Sequence, residues 1–116
     1  MGDVQDVLRK LAIRDDAYFD FLLARDADDP TASGLEPKVH LLVGIAALVA
    51  IDAPTAVYLR SVDLAREYGA SDDEIVGTLI ASLPAAGVAR VVSAAPKLGL
   101  ALGYDVLASL EDWSSH

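Results

Sequence analysis

At 116 residues, with a net charge of −9 and no cysteine, the chain is sized for one domain (residues 1–116), and disulfides, thiol catalysis and thiolate metal sites are excluded. Nucleic-acid binding needs a basic face, which 18 acidic residues against 9 basic ones do not provide. The hydrophobic share, 53% against 23% charged, is more apolar surface than a small domain hides alone, so a homo-oligomer with mutually covered faces is expected over a lone packed monomer.

Two histidines do not suggest a histidine-based metal site, and no metal or other cofactor is expected. The start, Met1-Gly-Asp-Val-Gln-Asp6, is polar and acidic and lacks the basic lead and apolar core of a secretory signal. The apolar run Leu41–Ile51 is too short to span a bilayer, and Pro84, Arg90, Pro96 and Lys97 interrupt the one that follows. No membrane partner is expected, and a cytoplasmic location is the default.

Residues 3–12 place Val4, Val7, Leu8 and Leu11 at helical spacing, which predicts a short amphipathic helix. Asp15-Asp16 suits the positive end of a second helix carrying Tyr18, Phe19, Phe21, Leu22 and Leu23. The run Arg25–Gly34 is a loop by composition. Its aspartates at 26, 28 and 29 do not make a calcium loop, because Thr31 and Pro37 stand where the turn glycine and the bidentate glutamate belong.

Glu36-Pro37 opens a third helix, apolar all round from Leu41 to Ile51 and therefore expected to be central. Asp52-Ala-Pro54 ends it and starts a fourth helix that runs to Tyr68 and stops at Gly69. Ser71-Asp-Asp-Glu74 has the form of a capping box, opening a helix with Ile75, Leu79, Ile80 and Leu83 on its inner side. Pro84 and Gly87 should kink or divide that helix, and Pro96 should break the next, leaving Lys97–Leu110 as a last helix. Tyr104 and Trp113 are expected to pack. The whole reads as an all-α bundle of about six helices, without a strand signal or an internal repeat.

Leu35-Glu-Pro-Lys38 before a long apolar helix, the following helix ending at Gly69, and Ser71-Asp-Asp-Glu-Ile75 together resemble the carboxymuconolactone decarboxylase family, which includes the alkylhydroperoxidase D-like proteins. The resemblance covers roughly residues 35–95 and implies an all-α fold assembled as a homotrimer or hexamer. In the peroxidase branch a Cys-x-x-Cys-x-x-x-His motif falls on Pro54, Val57 and Ser61, and all three positions are replaced here. The branch's glutamate corresponds to Leu41, within one position, with His40 in the basic place before it. Peroxide reduction needs a thiolate and a resolving thiol, so thiol peroxidase chemistry is excluded. The decarboxylase branch also implies a histidine at Ser61, and a serine hydroxyl is no acid or base near neutral pH.

Few polar residues remain to carry chemistry. His40 is either a partly buried histidine satisfied by a neighbour or the one side chain able to shuttle a proton near pH 7. Tyr58 and Ser61 share the region of the fourth helix where the family pocket opens; Ser61 either bonds back to its own helix or meets substrate. Asp63, Arg66 and Glu67 on the other side have the spacing of ordinary helix-surface ion pairs. Arg90, alone among Val88, Val91, Val92 and Ala94, either forms an interface ion pair or binds the carboxylate of a ligand. Two functions follow. One is a cofactor-independent lyase, decarboxylase or isomerase for a small molecule, with His40 moving protons and Tyr58, Ser61 and Arg90 positioning substrate. The other is a non-catalytic ligand-binding or interaction module of the same fold.

Overall fold

Each helix of this protein starts or stops at a residue whose side chain or backbone explains the boundary. A computed structural model describes residues 3–106, which contain six α-helices and no strand: α1 (Val4–Ala12), α2 (Asp16–Leu23), α3 (Pro37–Ala50), α4 (Thr55–Glu67), α5 (Asp72–Ala86) and α6 (Val88–Leu102). Residues 1–36 and 37–116 form two separate compact units.

In the first unit Asp3 and Asp15 cap α1 and α2 by accepting from the amides of Gln5 and Tyr18. Lys10 stands over the Tyr18 ring and Arg25 over the Phe21 ring, so these aromatics are roofed by cations and neither helix buries a residue. The aspartates of the following loop are turn formers. Asp26 accepts from the amide of Asp28, and Asp29 accepts from the amide and hydroxyl of Thr31.

The second unit is a four-helix arrangement in which α3 lies on α5 and α4, and α6 lies on α4 and α5. Its core takes Ile45 and Val49 from α3, Tyr58, Val62 and Ala65 from α4, Ile75 and Leu79 from α5, and Ala94 and Leu98 from α6. Helix α4 ends as expected at Gly69 (φ 93°), where the Gly69 amide donates to Arg66 and the Ala70 amide to Ala65, closing a Schellman turn. The capping box opens α5: the Glu74 amide donates to Ser71 Oγ at 3.1 Å and the Ser71 amide to Glu74 Oε1 at 3.0 Å. Lys38 reaches Glu74 Oε2 at 2.9 Å, fastening the start of α3 to the start of α5.

Several expectations are corrected. Pro96 does not break the chain, for α6 runs through it to Gly103 in the left-handed conformation. The buried stripe Ala94, Leu98, Ala101 and Leu102 holds that helix together on both sides of the proline. Pro84 likewise sits inside α5, and it is Gly87 that divides the two helices. The inner stripe of α5 is Ile75, Leu79 and Ser82, whereas Ile80 is 67% exposed. Tyr104 is 61% exposed and does not pack, and Trp113 lies outside the described residues. Arg66 pairs with Asp72 and donates to the Leu102 carbonyl, tying the end of α4 to α5 and α6. Helix α3 is central on one side only: Ile45 and Val49 are wholly buried, while Val43 faces outward.

Candidate functional site

The turn between α3 and α4 is built around Asp52, whose φ of 55° puts it in the left-handed region, where a short polar side chain is among the few non-glycine choices tolerated. Bonds from the Asp52 amide to Val49 and from the Ala53 amide to Leu48 close the turn. That geometry turns the carboxylate toward α6, where Arg90, Ser93 and Lys97 stand at i, i+3 and i+7 on one stripe. Ser93 Oγ donates to Asp52 Oδ1 at 2.6 Å and Lys97 Nζ donates to the same oxygen at 3.1 Å. A further Lys97 bond reaches the Ala53 carbonyl at 3.0 Å. Arg90 Nη1 meets the other oxygen, Oδ2, at 3.3 Å.

These partners hold the Asp52 carboxyl below its ordinary pKa, first through the Ser93 and Lys97 hydrogen bonds and then through the two cationic charges. A carboxylate whose pKa is depressed by folding stabilises the fold above the unfolded value, and that contribution is lost as pH falls through the depressed one. Asp52→Asn should therefore lose more stability at pH 6 than at pH 3. Urea midpoints at the two pH values check this; an equal loss at both would refute it.

Tyr58 lies beneath this corner in the first turns of α4, wholly buried, and its hydroxyl has no hydrogen-bond partner among the described residues. Burial raises the phenol pKa, and the nearby Asp52 charge raises it further, so the group stays a neutral donor. The structure thus brings Arg90 onto the Asp52 carboxylate, whose charge the unbonded Tyr58 hydroxyl feels from nearby. Ser61 follows one turn after Tyr58 and is half-buried, flanking the buried face of α4. His40 is half-buried and engaged by a neighbour, and it lies roughly 15 Å along the α3 axis from Ala50, where that helix ends. It does not join the Asp52 group.

Sequence reasoning took Asp52 only as a helix stop and missed Ser93 and Lys97. The signal was present in the stripe Arg90, Ser93 and Lys97, three polar residues on one face of an otherwise apolar helix. Among the described residues no cluster of histidines and carboxylates is arranged to hold a metal, and no helix is long and apolar enough to cross a membrane.

A groove of about 600 Å³ runs between α3 and α5, bordered by Val39, Val43, Ala46 and Ala50 on one side and Ala81 and Ala85 on the other. The hydroxyls of Thr78 and Ser82 donate to carbonyls of their own helix at 2.6 Å each, so the groove wall is apolar in character.

Helical punctuation of this kind, with no cysteine on α4, makes a thiol-free helical scaffold. The sequence profile of the carboxymuconolactone decarboxylase family matches residues 16–98, from the start of α2 into the last turns of α6, and the chain belongs to that family. The match begins a helix earlier than the motifs around Leu35 suggested. No curated protein and no solved structure matches the chain.

Proposed function

We propose that this protein is a homo-oligomeric, thiol-independent member of its family that acts on a small carboxylate-bearing molecule by non-redox acid–base chemistry, as a lyase, decarboxylase or isomerase. The observation that carries this reading is the composition of the α3–α4 corner. Where the resemblance implies thiols, at Pro54 and Val57, there is no thiol, and the adjoining Asp52 gathers Arg90, Ser93 and Lys97, its charge acting on the buried Tyr58 phenol. In this reading Arg90 positions a substrate carboxylate, Ser61 stands beside it and the buried Tyr58 backs the corner, while His40, roughly 15 Å away along α3, does not reach the same small molecule. No cofactor takes part.

The test is a panel of small keto acids, lactone acids and unsaturated acids incubated with the protein and followed by proton NMR. Turnover of at least one, reduced at least tenfold by Arg90→Met in a protein of unchanged assembly, is expected. No turnover of any compound would favour the non-catalytic binding module instead.

Assembly is supported by the apolar α3–α5 groove and by exposed Val43 and Ile80 on the same two helices. A trimer or hexamer that covers these faces should give a light-scattering mass of three or six times the 12.2 kDa chain at micromolar concentration. A mass of one chain across the whole range would overturn it.

A further inference from the structure

We infer that the guanidinium of Arg90, at the corner formed by α6 and Asp52, is an anion subsite that takes one carboxylate from solution. This deepens the function proposed above and rests on it only in assigning that carboxylate to a substrate. In the second unit Lys38 has Glu74, and Arg66 has Asp72, whereas Arg90 and Lys97 share the single carboxylate of Asp52. The corner therefore carries a surplus of one positive charge in a chain whose net charge is −9.

The donor geometry makes the surplus available. Arg66 uses Nε and Nη2 together on Asp72, at 3.0 and 2.9 Å, and adds the Leu102 carbonyl, which largely occupies its fork. Arg90 makes one contact, Nη1 to Asp52 at 3.3 Å, and its side chain is 48% exposed. A guanidinium offers five N–H donors in a plane that matches a carboxylate two bonds at a time. Asp52 does not need the arginine as its sole partner, because Ser93 and Lys97 already hold its other oxygen at 2.6 and 3.1 Å. A solution carboxylate can lie against the open edge of Arg90 while Asp52 stays on Ser93 and Lys97. One surplus charge fits a monocarboxylate better than a dianion.

The experiment is an NMR titration of the Arg90 Nε–Hε signal with sodium acetate and sodium benzoate at constant ionic strength, with chloride and phosphate as separate arms. A saturable shift with the carboxylates, absent with chloride and weaker with phosphate, is expected. Arg90→Lys keeps the charge and removes the fork, so the binding followed by calorimetry should weaken. Asp52→Asn, tolerated at a left-handed position, removes the competing anion and should tighten Kd by about fivefold, as for one charge lost at contact distance in water. No saturable shift in either the parent protein or Asp52→Asn, or the same Kd after Arg90→Lys, would overturn the subsite. A phosphate affinity exceeding that of acetate would overturn the carboxylate assignment. Saturable binding without turnover of any acid removes the enzyme reading and leaves the subsite; turnover indifferent to Arg90→Met overturns the assignment of that carboxylate to a substrate and leaves the enzyme.

Discussion

Replacing Tyr58 with alanine is expected to lower the unfolding free energy by about 3–5 kcal/mol, and replacing it with phenylalanine to change it by less than about 1 kcal/mol. The ring is wholly buried among the α4, α3 and α6 residues of the core, so its removal leaves a cavity at the centre of the second unit. The hydroxyl is another matter. It is buried and makes no hydrogen bond among the described residues, so its desolvation is not offset, and deleting it removes a cost instead of a contact. Urea unfolding at one fixed protein concentration separates the two substitutions. A phenylalanine variant more than about 2 kcal/mol less stable would show that the hydroxyl has a strong partner. A stable phenylalanine variant that loses turnover would give the phenol a role in the chemistry.

Gly87→Ala is the second large effect, with an expected cost of about 1–3 kcal/mol. The glycine joins α5 to α6 with φ 90° and ψ 164°, a region that only glycine enters readily. A Cβ added there would meet no atom within 4 Å, so the cost is one of backbone conformation and not of collision. Asparagine should not rescue the site, because it tolerates the left-handed helical region and not this one. Gly103, at φ 101° and ψ 14°, is left-handed, and asparagine there should cost less than at Gly87. Urea midpoints of the three variants give the order. Gly87→Ala within about 0.5 kcal/mol of the parent would mean that the α5–α6 joint can rearrange.

Much of the fold was legible in the sequence because punctuation is local. Asp15, Pro37, Gly69 and the Ser71–Glu74 box act within a few residues of themselves, and each boundary falls where the residue type requires it. What escaped depends on neighbours far along the chain. Pro96 costs a helix interior about 3 kcal/mol, but the packing of Ala94 and Leu98 against α4 and α5 outweighs it. In α5 the apolar residues run nearly all round, so periodicity does not choose between the Ile75–Leu79 stripe and Ile80 with Leu83. Burial goes to the stripe that can include Ser82, whose hydroxyl is satisfied by Thr78. Of the candidate site, Arg90 and Tyr58 were legible as out-of-place polar groups. The carboxylate that gathers Arg90 with Ser93 and Lys97 was not, since Asp52 lies 41 residues from Ser93 and 45 from Lys97.

The acidic excess and the bare apolar flanks of α3 and α5 pull against each other in solution. At neutral pH the negative charge opposes indiscriminate clumping without forbidding the specific assembly proposed above, and that opposition vanishes near the isoelectric point of about 4.3. Asp6 and Asp52 have pKa values pushed under the ordinary 3.8, and that of Glu74 lies under the ordinary 4.5. Acidification therefore strips the colloidal barrier before it loosens the Asp52 corner, so clouding on the way down in pH reports folded molecules meeting and not a fold coming apart.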